Sequence, residues 1–262
     1  MHRMSETEHP YAALTRELTG TAFAKIEYVE ETASTNHDIA TRLGDAESLG
    51  LTIVAEHQTD GIGRNGRTWI AQPQTSLLFS TILPYPLATS QLWIVPFGVA
   101  IVVGRALHRA GIETTLHWPN DLLIGERKVA GILCTSRIIG DRAWVAAGIG
   151  INVHRRAHAA NGISPPPAFC DDVATVTRAD LLRDILLRFD AWHETLTMPP
   201  RIARMWERFA NVPGQRYRLH KDGERAPFEA TAIALATGGG LVVERNDATR
   251  ETIALADARA LR

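Results

Sequence analysis

Residues 58–69 read Gln58-Thr-Asp-Gly-Ile-Gly-Arg-Asn-Gly-Arg-Thr-Trp69 and directly follow an apolar run. Three glycines and two arginines fall within seven positions of this stretch. Glycine lets backbone N–H groups approach a ligand closely, and arginine supplies planar, permanently charged donors for carboxylate or phosphate. The composition therefore predicts a loop that binds an anion, although such a stretch standing alone would more simply be a basic surface loop.

The same glycines spell Gly-x-Gly-x-x-Gly, the fingerprint of dinucleotide-binding folds. That fingerprint requires a helix that opens at the third glycine and an acidic residue about 20 positions further on. Residues 68–75, Thr-Trp-Ile-Ala-Gln-Pro-Gln-Thr, lack the periodicity of an amphipathic helix, and Pro73 would interrupt one. We therefore exclude a dinucleotide-binding loop at this position.

The composition is that of a globular protein without a strong charge bias. The 262 residues suffice for one or two domains with a sizeable core. The sequence contains 28 Lys and Arg and 29 Asp and Glu, so the protein has no net positive charge that would favour nucleic acid as a partner. Cys134 and Cys170 lie far apart without ligand-like spacing, which excludes a disulfide framework and indicates a reducing, cytoplasmic location.

The sequence predicts neither a secretory signal nor a membrane span. Residues 1–20 carry charges throughout, and the most apolar segment, Leu92–Val103, contains Pro96 and is shorter than the roughly 20 residues that a span requires. The short helix expected over Pro10–Leu18 leaves no room for a helix-turn-helix unit before the first strand. We therefore expect no N-terminal DNA-binding domain.

The remainder of the chain alternates between strand and helix patterns. Strands are predicted at 25–30, 51–55, 76–83, 116–124, 128–133 and 144–153, so that the glycine-rich stretch joins the second strand to the third. Helices are predicted at 91–109, about 178–196 and about 200–209. A boundary near 211–214 is followed by a small all-β module, which is near the lower size limit for independent stability and should dock on the main domain.

Two polar features are ambiguous by themselves. Ser34-Thr35-Asn36 precedes a helical pattern and is most simply an N-cap, whereas a functional role would place its hydroxyls and amide against a neutral polar ligand. Lys128, taken alone, is most simply a solvated lysine at the end of a strand.

Four motifs occur here in the order in which biotin protein ligases carry them. They are Ser34-Thr-Asn, Ala55-Glu-His-Gln with Gly61-Ile-Gly-Arg-Asn-Gly-Arg67, Trp118-Pro-Asn-Asp with Lys128-Val-Ala-Gly-Ile-Leu, and Gly148-Ile-Gly-Ile-Asn-Val. The chain therefore resembles the biotin protein ligase family, which shares a catalytic fold with lipoate ligases, over roughly residues 25 to 262. The resemblance implies an α+β fold with a mixed or antiparallel central sheet and packed helices over residues 1–211, and a small SH3-like β-barrel over residues 212–262.

The resemblance also implies an activity. Biotin protein ligases join biotin and ATP into biotinyl-5′-adenylate, release pyrophosphate, and pass the biotinyl group to one lysine of a biotin carboxyl carrier protein domain. The expected ligands and partners are thus biotin, ATP with Mg²⁺ and the carrier, without nucleic acid or membrane, and the expected state is a monomer or weak homodimer. A lipoate ligase and a non-catalytic binder of biotin or its adenylate are the alternatives.

The family pattern assigns roles to individual positions. Its biotin-binding set comprises Ser34, Thr35, Asn36, Gln58, Gly61, Ile62, Gly63, Arg64, Lys128 and Gly131. Its nucleotide-binding set comprises Arg64, Arg67, Trp69, Asn120 and Asn152. Lys128 and Arg64 are the expected catalytic residues, because two anions must be held together when the valerate carboxylate attacks the α-phosphorus. Asp121 is the expected carboxylate partner of Mg²⁺.

The sequence departs from the family pattern at two positions. The loop usually reads Gly-Arg-Gly-Arg-x-Gly-Arg, but its first arginine is Ile62 here, and the usual lysine before Trp-Pro-Asn-Asp is His117. Both changes remove positive charge from the expected site. The backbone N–H of Ile62 can still serve biotin, so we expect binding to be less affected than full activity. We expect His117 to be a neutral histidine at a strand end.

Overall fold

The computed structural model describes residues 9–157, 163–192, 195, 198–255 and 258–261. These residues form a mixed eight-stranded sheet with packed helices and a second, five-stranded antiparallel sheet. The strands of the first sheet are β1 (Ile26–Thr32), β2 (Thr52–Gln58), β3 (Ser76–Ile82), β4 (Leu87–Ala88), β5 (Thr115–His117), β6 (Asp121–Ile124), β7 (Arg127–Ile139) and β8 (Arg142–Asn152). Those of the second are β9 (Arg216–Lys221), β10 (Phe228–Leu235), β11 (Leu241–Arg245), β12 (Arg250–Ile253) and β13 (Ala258–Leu261).

The first sheet has the order β1-β2-β3-β8-β7-β6-β5, with β4 paired to β8. Only the β1–β2 pair is parallel, so the prediction of a mixed central sheet is confirmed. Every residue of β3 is buried, including the polar residues Ser76, Ser80 and Thr81. The second sheet has the order β12-β11-β10-β9-β13.

The helices are α1 (Leu14–Glu17), α2 (Thr35–Ala40), α3 (Val95–Arg109), α4 (Arg178–Trp192) and α5 (Pro199–Phe209). The first of these is shorter than the predicted 10–18, because residues 10–13 form turns. The helix predicted over about 178–196 ends at Trp192, and most of its remaining range lies outside the described residues.

The predicted helix over 91–109 is confirmed. A 3₁₀ segment, Thr89–Ile94, continues directly into α3. Among the described residues, the combined segment Thr89–Arg109 is the one helix long and apolar enough to cross a membrane by length and composition. It packs against α4, α5 and β7, and its apolar side chains are almost all buried there, so it serves as the central core helix.

The prediction of one strand over 116–124 is wrong. The chain turns at residues 118–120, and β5 and β6 on either side of this turn pair with each other as antiparallel strands. The cause is Pro119, which has no N–H to donate to a ladder and therefore cannot lie within a continuous strand. The turn places Asn120 and Asp121 together at one end of the sheet.

The second sheet docks on the first part of the chain, as its small size predicts. Trp118 is fully buried at the contact. Its backbone N–H donates to the Tyr217 hydroxyl at 3.1 Å, and its indole N–H donates to the Gly239 carbonyl at 3.0 Å. The apolar residues of β9, β10 and β11 join the same core as α3 and α5. The two sheets thus share a core, and the turn that holds Asn120 rests on the second sheet.

Candidate functional site

A cavity of about 520 Å³ opens at the ends of β2, β5, β6, β7 and β8. All but one of the residues that the family pattern assigns line it, namely Ser34, Thr35, Asn36, Gln58, Ile62, Gly63, Arg64, Arg67, Trp69, Asn120, Asp121, Lys128, Gly131 and Asn152. The exception is Gly61, which is buried behind the wall. A side chain there would lie 2.5 Å from the carbonyl oxygen of Trp69, so this position requires glycine for the close approach of the two loop ends.

One end of the cavity, which we call the amide end, is lined by the neutral polar side chains of Thr35, Asn36 and Gln58, and Ser80 lies fully buried behind them. The Gln58 carbonyl oxygen accepts from the Thr35 backbone N–H at 2.9 Å and from the Thr35 hydroxyl at 3.0 Å. The Ser80 hydroxyl lies 2.9 Å from the Thr35 hydroxyl and donates to the Asn36 carbonyl oxygen at 2.9 Å. The Asn36 amide nitrogen donates in turn to the Leu133 carbonyl at 3.2 Å.

This arrangement leaves hydrogen-bonding capacity for a ligand. The two hydroxyls of Thr35 and Ser80 supply two hydrogens for three side-chain contacts, and each hydroxyl oxygen has two lone pairs. The Thr35 hydroxyl, whose hydrogen goes to Gln58, therefore keeps a lone pair that can accept a ligand N–H. The close fit also depends on Gly148, because a side chain at this position would lie within 2.2 Å of the Asn36 amide.

The N-cap interpretation of Ser34 explains the position of its backbone but not that of its side chain. Ser34 occupies the N-cap position of α2, but its hydroxyl makes no capping hydrogen bond. The side chain is buried and lines the cavity instead. Ser34, Thr35 and Asn36 thus all line the cavity, and a role in ligand binding stays a prediction.

The glycine-rich stretch folds back on itself at the cavity rim. The N–H of Gly63 donates to the Arg67 carbonyl and the N–H of Trp69 donates to the Gly61 carbonyl, both at 2.7 Å. Ile62, which is half-buried, faces Thr68 across an isolated antiparallel bridge. Such a closed loop needs a tight reversal, and Gly66 has φ +69°, a conformation that favours glycine.

The two arginines of this loop have different surroundings. Arg64 is half-buried, and its guanidinium donates to the Leu255 carbonyl of the second sheet's module at 2.8 Å. Burial lowers the pKa of Arg64, and nearby Asp121 opposes this effect. Arg67 is exposed at the mouth of the cavity.

Trp69 ends the loop inside the cavity. Its ring lies flat against β7 and β8, where side chains at Gly131 or Gly150 would lie 3.1 Å or 2.7 Å from ring atoms. The Lys128 ammonium is 5.3 Å from the ring centroid, within the range of a cation–π contact. Trp69 therefore anchors the loop end on the sheet and forms part of the cavity wall as well.

Lys128 lies where β7 enters the cavity. Its ammonium contacts the Asp121 carboxylate at 2.6 Å. Its backbone carbonyl accepts from the Ala168 N–H at 2.9 Å and from the Asn152 amide at 3.3 Å. The backbone of Lys128 is thus held by two hydrogen bonds, and its ammonium is paired with Asp121.

The two predicted nucleotide-facing asparagines each make a backbone contact. Asn120 donates its amide N–H to the Ile132 carbonyl at 2.7 Å, and Asn152 donates to Lys128. Their amide nitrogens therefore hold β7, and the Asn152 carbonyl oxygen accepts from the Ser76 hydroxyl at 3.5 Å. Among the described residues, no group of three or more His, Cys, Asp or Glu side chains has the arrangement of a metal centre.

The other end of the cavity, which we call the charged end, includes residues that the sequence analysis missed. Its outer wall is formed by residues 163–167 and by β9 and β13 of the second sheet, through Arg218, Ala260 and Leu261. His117 is buried there, with its ring centroid 4.5 Å from that of Tyr217. No local sequence signal marks Arg218, since only the tertiary fold brings β9 to the cavity. Ser80 was also missed, although a serine in a buried strand requires polar partners.

Comparisons with known proteins identify relatives of this chain. Residues 28–152 match the biotin/lipoate A/B protein ligase family. The bifunctional ligase/repressor BirA of Bacillus subtilis is 30% identical, over 95% of this chain and 77% of that protein. The biotin–[acetyl-CoA-carboxylase] ligase of Mycobacterium tuberculosis is 27% identical over 78% of this chain and 77% of its own length. The biotin protein ligase of Aquifex aeolicus, solved with biotin and ATP, superposes with a TM-score of 0.72 at 24% identity, covering 91% of this chain and 99% of that one.

Proposed function

The chain belongs to the biotin/lipoate A/B protein ligase family, and we infer that it is an ATP-dependent biotin–protein ligase. The observation that carries this inference is the amide end of the cavity. Biotin's ureido group is neutral and has both donors and acceptors, which an apolar pocket alone would not distinguish. Thr35, Asn36 and Gln58, whose side chains are tied together by hydrogen bonds to one another and to the buried Ser80, supply a matching neutral surface to the cavity.

We propose that the valerate chain of biotin runs from the amide end towards Lys128. A carboxylate oxygen then attacks the α-phosphorus of ATP, a new P–O bond forms, and the bond to pyrophosphate breaks. Lys128 and Arg64 supply positive charge where the carboxylate and the phosphate meet, which offsets their repulsion. In the second step the neutral ε-amine of a carrier lysine attacks the anhydride carbonyl, AMP leaves, and the amine loses a proton.

The Lys128–Asp121 pair suggests how Lys128 is held before substrates arrive. Its Nζ–Oδ1 distance of 2.6 Å keeps the ammonium in the cavity rather than in solvent. We propose that the substrate anions replace part of this contact. Mg²⁺ would enter as the counterion of ATP, for which one carboxylate is sufficient because this ion retains water and phosphate ligands. Asp121 is the carboxylate at the cavity that would meet it, while the nucleotide itself would contact Arg67, Trp69, Asn120 and Asn152.

The finer parts of the assignment are proposals of the same kind. The second sheet is proposed to be the SH3-like module, with its boundary at residues 211–212, between the end of α5 at Phe209 and the start of β9 at Arg216. The acceptor is proposed to be the biotin carboxyl carrier domain of a biotin-dependent carboxylase in the cytoplasm. The ligase is proposed to act as a monomer or weak homodimer.

The direct test is mass spectrometry of a biotin-carrier domain incubated with this protein, ATP, Mg²⁺ and biotin. One added biotinyl group on a single lysine is expected, and pyrophosphate should appear in equal amount. A carrier whose target lysine is replaced by arginine is the matched control. An unmodified carrier in the presence of a ligase-competent control enzyme would reject the proposal.

A lipoate ligase is the alternative within the same fold. The amide end argues against it, because a dithiolane ring offers no N–H or C=O group to the polar side chains of Thr35, Asn36 and Gln58 and would leave them desolvated. Thermal melting separates the two: biotin should raise the melting temperature, and lipoate at the same concentration should not. A non-catalytic binder, suggested by Ile62 and His117, would be stabilised by biotin but would release no pyrophosphate.

A further inference from the structure

We propose that Arg218, on β9 of the second sheet, binds the β- and γ-phosphates of ATP, so that the nucleotide is held between the two sheets. This inference rests on the proposed function and adds a substrate-binding residue to it. The family motifs do not include this position. It enters the site only because the second sheet forms part of the cavity wall.

The strand β9 holds Arg218 in a fixed place. Side chains alternate along the strand, so that Tyr217 and Leu219 are buried while Arg216 and Arg218 are exposed. The Tyr217 hydroxyl accepts from the Trp118 N–H at 3.1 Å, and the Tyr217 ring packs on His117. The backbone of β9 is thereby anchored to the turn that carries Asn120, and Arg218 lies at the cavity beside that turn.

The charges around the cavity indicate why Arg218 would be needed to bind a polyphosphate. Among the described residues, four cationic side chains line the cavity, and the Lys128 ammonium is paired with Asp121. The remaining cations are Arg64, Arg67 and Arg218. Because Ile62 and His117 replace two basic residues of the family pattern, Arg218 contributes a large share of the charge that can oppose a polyphosphate.

The donors of Arg218 are available. Its guanidinium makes no hydrogen bond or ion pair with any residue in the described parts of the chain. Arginines elsewhere in the second sheet are engaged: Arg245 pairs with Glu224 and Glu251, and Arg250 pairs with Glu244. A planar fork of five N–H donors suits bidentate contact with phosphate oxygens.

The outer phosphates are the most suitable ligands. The α-phosphate must meet the biotin carboxylate, and that charge is supplied from Lys128 on β7. Arg218 comes from the second sheet and is exposed to solvent at the cavity, so it can meet phosphates that must leave the site as pyrophosphate. An exposed arginine can bind pyrophosphate and release it without a large desolvation cost.

The test is calorimetric binding of AMP, ADP and ATP, each with Mg²⁺, to the wild type and to two variants of the full chain. Arg218→Gln should weaken ATP and ADP binding about tenfold and leave AMP binding within about twofold of wild type. Arg216→Gln is the matched control, because this arginine is two residues away on the same exposed side of β9 and does not line the cavity. It should leave the affinities for all three nucleotides unchanged.

Three results would overturn the proposal: unchanged ATP affinity in Arg218→Gln, an equal loss of AMP affinity, or an equal loss of ATP affinity in Arg216→Gln. A second experiment supplies synthetic biotinyl-5′-adenylate and follows transfer to a carrier domain. Arg218→Gln should transfer at the wild-type rate, because the adenylate has no outer phosphates. Slower transfer with unchanged ATP binding would assign Arg218 to the carrier and reject the proposal. The proposed function can also fail separately. If ATP binding depends on Arg218 but the wild type forms no adenylate, the ligase function is rejected and this inference stands.

Discussion

The two ends of the cavity are built on opposite principles. The amide end consists of neutral side chains from α2, β2 and β3, which are buried or half-buried and hydrogen-bonded to one another before any ligand binds. The charged end consists of cations from a loop, from a strand end and from the second sheet, and these are partly or fully exposed. One end is fixed by the core, and the other is assembled from separate parts.

This difference matches the chemistry of the proposed substrates. Recognition of a neutral heterocycle requires polar groups at set distances, since a misplaced hydrogen bond in a buried place costs more than it gains. A polyphosphate needs charge of the correct sign but tolerates small shifts, and it must also leave after reaction. The exposed charged end permits such release, whereas the buried amide end gives selectivity.

The largest expected effect is at the junction of the two ends. Lys128→Ala should reduce the rate of adenylate formation by about 10² to 10³, because it removes the charge between carboxylate and α-phosphate. Pyrophosphate release is the measurement. The double variant Lys128→Ala/Asp121→Asn controls for repulsion by the released Asp121 carboxylate, and it should be equally slow. Pyrophosphate release at the wild-type rate would remove Lys128 from the chemistry.

A substitution at Ser80 should disrupt the amide end without affecting the charged end. Ser80→Ala removes the hydroxyl between Thr35 and Asn36 and should weaken biotin binding about tenfold, with ATP binding unchanged. Thr81→Val is the matched control, since Thr81 is equally buried but bonds Thr52 and the Leu51 carbonyl instead. Both variants should lose about 1–2 kcal/mol of unfolding free energy. An equal loss of biotin affinity in the two variants would mean that the loss reflects lower protein stability rather than a missing contact in the site.

The charged end can be loosened through the second sheet. Tyr217→Phe keeps the ring on His117 but removes the acceptor of the buried Trp118 N–H, so we expect a loss of about 1–2 kcal/mol in unfolding free energy. The KM for ATP should rise a few-fold and biotin affinity should not change. Tyr11→Phe is the control, because the buried Tyr11 hydroxyl has no hydrogen-bond partner among the described residues. Biotin binding that weakens as much as ATP binding would contradict the separation of the two ends.

The smallest effect is expected at Ile62, where the family loop usually carries arginine. A loop held by one fewer charged contact should release the reactive anhydride more readily, so the wild type should label bystander lysines. Ile62→Arg should reduce this labelling a few-fold while preserving transfer to the carrier, because one charged hydrogen bond is worth at most about 1.5–3 kcal/mol. The assay is streptavidin blotting of an added non-carrier protein at matched adenylate production. Equal bystander labelling would make Ile62 a neutral substitution.

The amide end was largely predictable because its residues sit in contiguous motifs. Ser34-Thr35-Asn36 and Gln58 lie in short stretches whose polar character is unusual beside apolar strands. Ser80 was harder to identify, since it stands within the apolar run of β3 and only its burial reveals the need for partners. The alternation of side chains along β3 places it on the same side as Leu78, which lines the cavity, while Ser80 itself lies behind Thr35 and Asn36.

The charged end was less predictable because tertiary structure creates it. The break of the predicted 116–124 strand follows from the missing N–H of Pro119, but the partner of the resulting turn lies about a hundred positions away, at Tyr217. Arg218 carries no motif, and its neighbours in sequence are ordinary strand residues. Periodicity predicted β-strands in this part of the chain, but periodicity does not say which cavity a docked sheet will face.

The two hydrogen bonds of Trp118 also limit which relatives can exchange gene segments with this one and still yield a folded protein. Any exchange that brings residues 212–262 from a relative must deliver a hydroxyl for the Trp118 amide and a carbonyl for its indole, both in register, or leave a large buried side chain with two unmet donors. The segments that encode the two sheets should therefore be inherited together. Chimeras whose incoming part keeps Tyr217 and the turn at Gly239 should express as folded protein, and those lacking both should be lost to proteolysis.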